Sequence, residues 1–265
     1  MIELSRKPYA YGTSHRLDEV VVESGDGTRA TMLRKDLTPA AKPEFLHDPR
    51  RERVAYQILD GVGLGTPLCH DSGDDWLLIE KVDGVELWQV GDLRTWADAA
   101  RWLGLFHRHF EQAPPRDACL LRYQRTYFEG WWRRAAERHP AINDLTQFAD
   151  RVIEILAADQ STFVHGEFYA SNILVADDRI APVDWEMAGL GSGMIDLAAL
   201  VSGWDDDSRM AVIDGYGGVR EKALAAAELQ LAVQWLGWSD SWLPPPEHRR
   251  DWLAEARAAA GRLGV

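Results

Sequence analysis

Basic residues are scarce in this sequence: 29 Lys and Arg stand against 42 Asp and Glu, giving a formal charge of −13 and a pI near 5.0. A protein that grips a phosphate backbone does so with clustered cations, so no nucleic-acid partner is expected. No run of about 18 uninterrupted apolar residues is present to span a bilayer, and the opening MIELSRKPYAYGTSH lacks the basic-then-apolar pattern of a signal peptide. The expectation is a cytoplasmic protein with no membrane partner. Only Cys69 and Cys119 carry thiols, too few and too far apart for a disulfide framework or a zinc site, which agrees with a reducing compartment. Both read as packing residues. Repeats and low-complexity tracts are missing, and so is a Gly-x-Gly-x-x-Gly loop.

What is present is ample core material. The 265 residues are 46% apolar and include 12 tryptophans, enough for one large domain or two lobes and more indole than a core of this size usually needs. The first third alternates like a sheet: LDEVVVES, the turn Gly25-Asp26-Gly27, then TRATMLRKDL form a hairpin. DPRRERVAYQILDGVG reads as one amphipathic helix with a glycine stop, and WLLIEKVDG as a short buried strand ending in an Asp-Gly turn. From about residue 92 the spacing becomes helical. Trp96, Ala99, Leu103, Phe106 and Phe110 fall on one face, and a second helix carries Leu145, Phe148, Val152, Ile155 and Leu156. The pattern predicts a sheet-rich part over residues 1–84 and a mainly helical part over 85–265.

The chemistry concentrates in TFVHGEFYASNILV, Thr162 to Val175, and in the IAPVDWEMAGLG that follows. NILVADDRIAPVD reads as a hairpin that folds back and sets Asn172 beside Asp184. An amide oxygen and a carboxylate are hard ligands suited to magnesium, which binds few protein groups and completes its shell from water and phosphate. Glu167, five residues before Asn172, projects toward the same place. An acid on a loop, an Asn five residues on and a metal-binding Asp at the next turn are what phosphoryl transfer of the protein-kinase type requires.

With HGEFYASNILV and PVDWE the chain resembles the aminoglycoside phosphotransferase and choline kinase-like family, whose usual pattern is His-Gly-Asp, a few residues, Asn, then a strand ending in Ile-Asp-Trp or Ile-Asp-Phe. The resemblance runs from the first hairpin to roughly residue 240. It implies an α+β, bilobal protein-kinase-like fold, with Lys35 contacting nucleotide phosphates and Glu52 as its helical ion-pair partner. It further implies a hinge at LLIEKVDG, where the Glu80 carbonyl and the Val82 N–H bind adenine. Asp196 in GMIDLAAL becomes a buried acid bracing the catalytic loop, and Tyr11 to His15 the loop over the phosphates. The cofactors it implies are Mg2+ with ATP or GTP.

One departure stands out: residue 167 is Glu where the family usually has Asp. An extra methylene displaces the carboxylate by up to about 1.5 Å, and positioning dominates this catalysis. Two readings follow. In one, Glu167 is the working base of a small-molecule kinase that phosphorylates a hydroxyl of a cationic or sugar-like acceptor. In the other, the chain is a pseudokinase-like nucleotide sensor. No segment resembles an activation loop ending in Ala-Pro-Glu, which favours small acceptors over proteins. His165 reads as structural, His107 and His109 as helix-surface or core-edge residues, Glu186 as a turn cap or a metal-facing acid, and Asp205-Asp206-Asp207 as a solvated run. The adjacent Trp131 and Trp132, which one helix face does not accommodate together, are expected to place one indole on the acceptor wall or the surface. Oligomeric state is left open.

Overall fold

A computed structural model describes residues 1–9, 15–38, 46, 48–177, 179–238 and 250–264. In chain order the strands are β1 (Ile2–Pro8), β2 (Leu17–Glu23), β3 (Arg29–Asp36), β4 (Cys69–Ser72), β5 (Trp76–Glu80), β6 (Val85–Glu86), β7 (Leu121–Arg122), β8 (Ser161–Val164), β9 (Ile173–Ala176), β10 (Arg179–Pro182) and β11 (Gly189–Ser192). The helices are α1 (Arg51–Leu59), α2 (Leu93–Gln112), α3 (Arg125–Arg138), α4 (Ala149–Ala158), α5 (Met194–Leu200), α6 (Asp206–Tyr216), α7 (Glu221–Gly237) and α8 (Trp252–Leu263). The chain divides into two compact units. The first comprises Met1–Val90, Asp117–Leu120 and Ala170–Ala188; the second comprises Gly91–Arg116, Leu121–Tyr169 and Gly189–Val265.

The first unit is built on a five-stranded sheet in the order β1-β2-β3-β5-β4, with every neighbouring pair antiparallel. Strand alternation sorts its side chains into two faces. Val20, Val22, Met32 and Leu78 pack together with Trp76 on one of them, and Arg34 stacks over Trp76 at 4.1 Å. The next residue, Lys35, therefore points to the opposite face, where α1 lies. The expected hairpin is β2 and β3, paired from Leu17↔Lys35 to Glu23↔Arg29. Strand β1 is an addition that the sequence did not announce, because all seven of its residues are exposed and it has no apolar face to read. A second, three-stranded sheet, β10-β9-β6, completes this unit.

The second unit is organised around α7, which is buried on nearly every side and packs against α3, α4, α5 and α8. A helix apolar all round belongs in a core. Helix α2 presents the expected face: Trp96, Ala99, Leu103, Phe106 and Phe110 are all buried. Asp92 caps its start by accepting from Arg94 N–H, a contact of the type that contributes about 1 kcal/mol. Glycine lets α2 and α6 approach closely, since a Cβ on Gly104 would lie 2.1 Å from the Tyr216 carbonyl oxygen. Helix α4 starts later than the spacing predicts: Thr146–Phe148 form a 3-10 turn, and Ile153 rather than Ile155 enters the core. The small sheet β7-β11-β8 carries the chain into and out of the loop that contains Glu167.

Candidate active site

In the first unit three charged side chains converge. Lys35 Nζ lies 2.7 Å from Glu52 Oε2, in the first turn of α1, and 2.5 Å from Asp184 Oδ1. The lysine and Glu52 side chains are 7% and 2% exposed, Asp184 23%. Burial alone depresses a lysine ammonium, but Asp184, Glu52 and Glu186 together outweigh it and hold Lys35 well above its ordinary value. Burial raises the Glu52 carboxyl, and Lys35 opposes that rise. The cluster is a buried cation shared by two acids, so deleting one member strands the others at a cost of roughly 3–5 kcal/mol.

The expected hairpin after the Glu167 loop is β9 and β10, paired from Ile173↔Pro182 to Ala176↔Arg179. Val183 N–H donates to the Asn172 carbonyl at 2.9 Å, which extends the pairing by one step and leaves Asn172 and Asp184 at the open end. Asp184 has a left-handed backbone, φ 65° and ψ 63°, a region Asp and Asn enter more readily than other side chains. Among the described residues no three His, Cys, Asp or Glu side chains gather as a metal site. An Asn–Asp oxygen pair fits magnesium specifically, because that ion keeps most of its shell in water and phosphate oxygens.

At the hinge segment Glu80 closes β5 and Val82 is buried. Arg179 binds the Glu80 carboxylate through two nitrogens, at 2.5 and 2.9 Å, and also reaches the carbonyls of Gly65 and Thr66. This fork holds the end of β5 to β10, a role for Arg179 that no motif suggested. Arg51, beside Glu52, was missed for the same reason. It is 5% exposed and donates to the carbonyls of Leu46, Cys119 and Glu186. Glu186 pairs with His15 Nε2 at 2.8 Å. Tyr11 to Ser14 lie outside the described residues.

In the second unit Glu167 sits on the loop that leaves β8, half-buried. The loop is fastened just upstream. Asp196, fully buried on α5, accepts from His165 N–H and Gly166 N–H, both at 2.7 Å. His165 is also fully buried; its Nδ1 receives Glu167 N–H at 3.3 Å and its ring meets Phe168 edge-on, the structural part expected of it. Tyr169, two residues after Glu167, packs on Trp235, and Trp235 stacks on Trp252. Burial, then the Glu167 charge, pushes the Tyr169 phenol well up, so it stays protonated.

Two expectations need correction. His107 is not at a helix edge but fully buried, between Asp196 and Tyr216; only His109 is exposed. Trp131 and Trp132 are both buried, at 0% and 4% exposure. Helix α3 is covered on two sides: Trp131 stacks on Trp238, while Trp132 Nε1 donates to Gln230 on α7 at 2.9 Å. Asp205, Asp206 and Asp207 are exposed, as expected of a solvated run, and Asp205 also caps α6, accepting from Ser208 N–H and its hydroxyl.

The profile of the phosphotransferase enzyme family matches residues 16–231 of the chain. No curated protein sequence matches it. Among solved structures, choline kinase LicA from Streptococcus pneumoniae superposes with a TM-score of 0.68 at 16% identity, covering 99% of this chain and 94% of that one. A putative fructosamine-3-kinase from Thermobifida fusca gives 0.67 at 19% identity, over 98% and 94%. The ADP-bound aminoglycoside phosphotransferase APH(2'')-Ib gives 0.60 at 14% identity, over 98% and 95%. At these identities the likeness is one of fold: protein-kinase-like, with a sheet-rich N-terminal part and a helical C-terminal part.

Proposed function

We propose, from the premise that the chain belongs to the phosphotransferase enzyme family, that it is a small-molecule kinase moving the γ-phosphoryl group of ATP or GTP to an acceptor hydroxyl. The observation that carries this reading is the buried Lys35 cation held between Glu52 and Asp184. A cation fixed in this way is poised for phosphate oxygens, and a protein without phosphate chemistry has little use for the desolvation it costs. Lys35 positions the phosphates and Glu52 orients Lys35. The Glu80 carbonyl and Val82 N–H take the adenine edge. Asn172 and Asp184 would hold Mg2+, which would supply neutralisation of the charge that develops on the transferred group. Glu167 accepts the acceptor's proton and aligns its oxygen for in-line attack. The half-buried Tyr169, two residues from that carboxylate, and the Trp235 ring it packs against at a tilt supply an aromatic cluster for the acceptor's body.

The second reading, a nucleotide sensor with little turnover, is favoured by one observation: the longer side chain at position 167. Release of ADP or GDP from Mg-ATP or Mg-GTP, measured against a panel of aminoglycosides, amino sugars, nucleosides and amino alcohols, separates the two. Acceptor-dependent release that collapses in Glu167→Gln supports the kinase. Tight nucleotide binding with no release on any acceptor supports the sensor.

A further inference from the structure

Arg51 is the first residue of α1, beside Glu52, and it is 5% exposed. A guanidinium stays charged wherever it is placed, so burying one carries a desolvation cost. Its position adds to that cost, because the start of a helix is the positive end of the helix dipole. The stability of α1 alone does not ask for a buried arginine here. Its bonds lead elsewhere. Arg51 Nη1 donates to the carbonyls of Leu46 at 2.8 Å and Glu186 at 2.9 Å, and Nε donates to the carbonyl of Cys119 at 2.9 Å. These oxygens belong to three separate stretches of the first unit: the approach to α1, the Asp117–Leu120 insertion, and the turn that follows Asp184.

That turn is stiff. Asp184 stands at its N-cap position, and Glu186 is the middle residue of its 3-10 helix, Trp185–Met187. Ala188 N–H closes it on the Trp185 carbonyl at 3.0 Å, and Trp185 Nε1 donates to the Pro182 carbonyl at 3.1 Å. Trp185 and Met187 are both fully buried. A turn closed and anchored in this way moves as one piece, so a hold on the Glu186 carbonyl is a hold on Asp184. Arg51 and Glu52 are likewise consecutive residues of one helix. The α1 helix and the Asp184 turn are thus joined twice, through side chains by Lys35 and through the backbone by Arg51. The Lys35 tie uses the Asp184 carboxylate, the group that the proposed reaction commits to metal. The Arg51 tie uses a carbonyl two residues on, which engagement of that carboxylate leaves alone.

We infer that Arg51 is a positioning residue for the Lys35–Glu52 pair: it fixes α1 against the Asp184 turn through the backbone, so that Glu52 stays in reach of Lys35 whether or not Asp184 does. The Leu46 and Cys119 carbonyls hold the guanidinium itself in line. Without Arg51 the two elements keep only the Lys35 tie, and α1 is free to draw Glu52 away when that tie is released. A misplacement of about 1 Å in such a cluster is enough to cost roughly 100-fold in rate. The effect on turnover rests on the reading of the chain as a phosphotransferase; the effect on the Lys35 ammonium does not.

The experiment uses Arg51→Met, which keeps the length and removes the donors, and Arg51→Lys, which keeps a cationic donor, and it has three readouts. In 15N–1H spectra of the lysine side chains, wild type is expected to show a slowly exchanging Lys35 ammonium, assigned by its loss in Lys35→Met. That signal is expected to vanish into solvent exchange in Arg51→Met and to return at least in part in Arg51→Lys; an unchanged Lys35 ammonium in Arg51→Met overturns the inference. Should the Met variant not fold, Arg51→Gln replaces it, with the same loss expected and an unchanged signal again overturning the role. The second readout is the Arg51 Nε–H itself, assigned by its loss in Arg51→Lys. Its exchange, relative to the backbone amides of β5, is expected to stay within about threefold of wild type in Lys35→Met, and an Nε–H that opens to solvent there overturns the independence of the two ties. The third is the split in kinetics. With an acceptor found in the panel, Arg51→Met is expected to raise KM for the nucleotide about tenfold and lower kcat about tenfold, with KM for the acceptor within about twofold. A folded variant that is less stable but keeps the wild-type KM for the nucleotide overturns positioning in favour of a structural role. If Lys35→Met turns over like wild type while the ammonium results hold, the phosphate role of Lys35 fails and that of Arg51 in the cluster stands.

Discussion

From a left-handed backbone, Asp184 places its carboxylate 2.5 Å from Lys35 Nζ. Apart from Asp177 in the turn between β9 and β10, it is the sole non-glycine with positive φ among the described residues. Such a conformation costs on the order of 1–3 kcal/mol and persists where its surroundings over-determine it, most often at functional sites. Here the ion pair with Lys35 and the Val183–Asn172 bond one residue upstream provide that constraint.

Asp184→Asn is therefore the cleaner probe of the metal assignment than Asp184→Ala, because Asn tolerates the same backbone. Phosphoryl transfer is expected to fall at least about 100-fold, close to 3 kcal/mol in the barrier, with the circular dichroism spectrum unchanged. Full turnover in the Asn protein removes Asp184 from metal binding. Lys35→Met should also be destabilising, by roughly 3 kcal/mol, since Glu52 and Asp184 lose their shared cation. Adding Glu52→Leu to it should return part of that loss, as denaturant titration can measure.

Glu167→Asp tests whether the pocket fits its longer acid. If the loop is built around glutamate, the shorter side chain retracts the carboxylate, and kcat is expected to drop about tenfold or more with nucleotide affinity unchanged. Equal rates for wild type, Asp and Gln proteins at saturating Mg-ATP would sink the role of residue 167.

The Glu80–Arg179 fork gives the first unit an acid-sensitive element. The side-chain bonds to Arg179 hold the Glu80 carboxyl below its ordinary value of 4.5. A depressed folded value contributes stability that is full above the ordinary value and is lost as pH falls through the folded one. Wild type should thus exceed Glu80→Gln in stability at pH 7 by about 1 kcal/mol or less, since the pair is partly solvated, and the gap should shrink as pH falls below 4.5. A gap that is constant from neutral to acid pH contradicts the assignment.

Two glycine-to-alanine changes should act in opposite directions. Gly104→Ala drives a methyl into the Tyr216 carbonyl across the α2–α6 contact, at a cost of about 1–3 kcal/mol. Gly261, inside α8, has nothing within 4 Å of the added carbon, and alanine there should stabilise by up to about 1 kcal/mol through helix propensity. Thermal unfolding should show one midpoint lowered and the other raised.

Elements with an apolar period were legible in the sequence: the face of α2, the β2–β3 hairpin and the β9–β10 hairpin follow their patterns closely. Strand β1 was not, because an edge strand exposed along its whole length has no period to detect. In helix α3 the two neighbouring tryptophans were misjudged, since local spacing carries no sign that a helix is covered on both sides. The site divides in the same way. Residues in one short stretch or in a family pattern, such as Asn172, Asp184, Lys35 and Glu52, could be named in advance. His107 and Tyr216 depend on partners 89 and 109 positions away in the chain, and a buried hydrogen bond over that span leaves no periodic trace.

The first compact unit is not a contiguous stretch of sequence. It takes in Met1–Val90 and then, after an excursion of the chain, Asp117–Leu120 and Ala170–Ala188. A fragment ending at Val90 would retain Lys35 and Glu52 but lose β9, β10, the Arg179 fork on the hinge strand and Asp184. Its β6 would be left without the strand it pairs with. Dissection at that boundary would therefore yield a polypeptide with an open sheet edge and an incomplete charge cluster, a candidate for aggregation rather than a minimal nucleotide-binding module. Rearranging the gene so that Asp117–Leu120 and Ala170–Ala188 both follow Val90 through designed linkers is the route to a self-sufficient version of this unit.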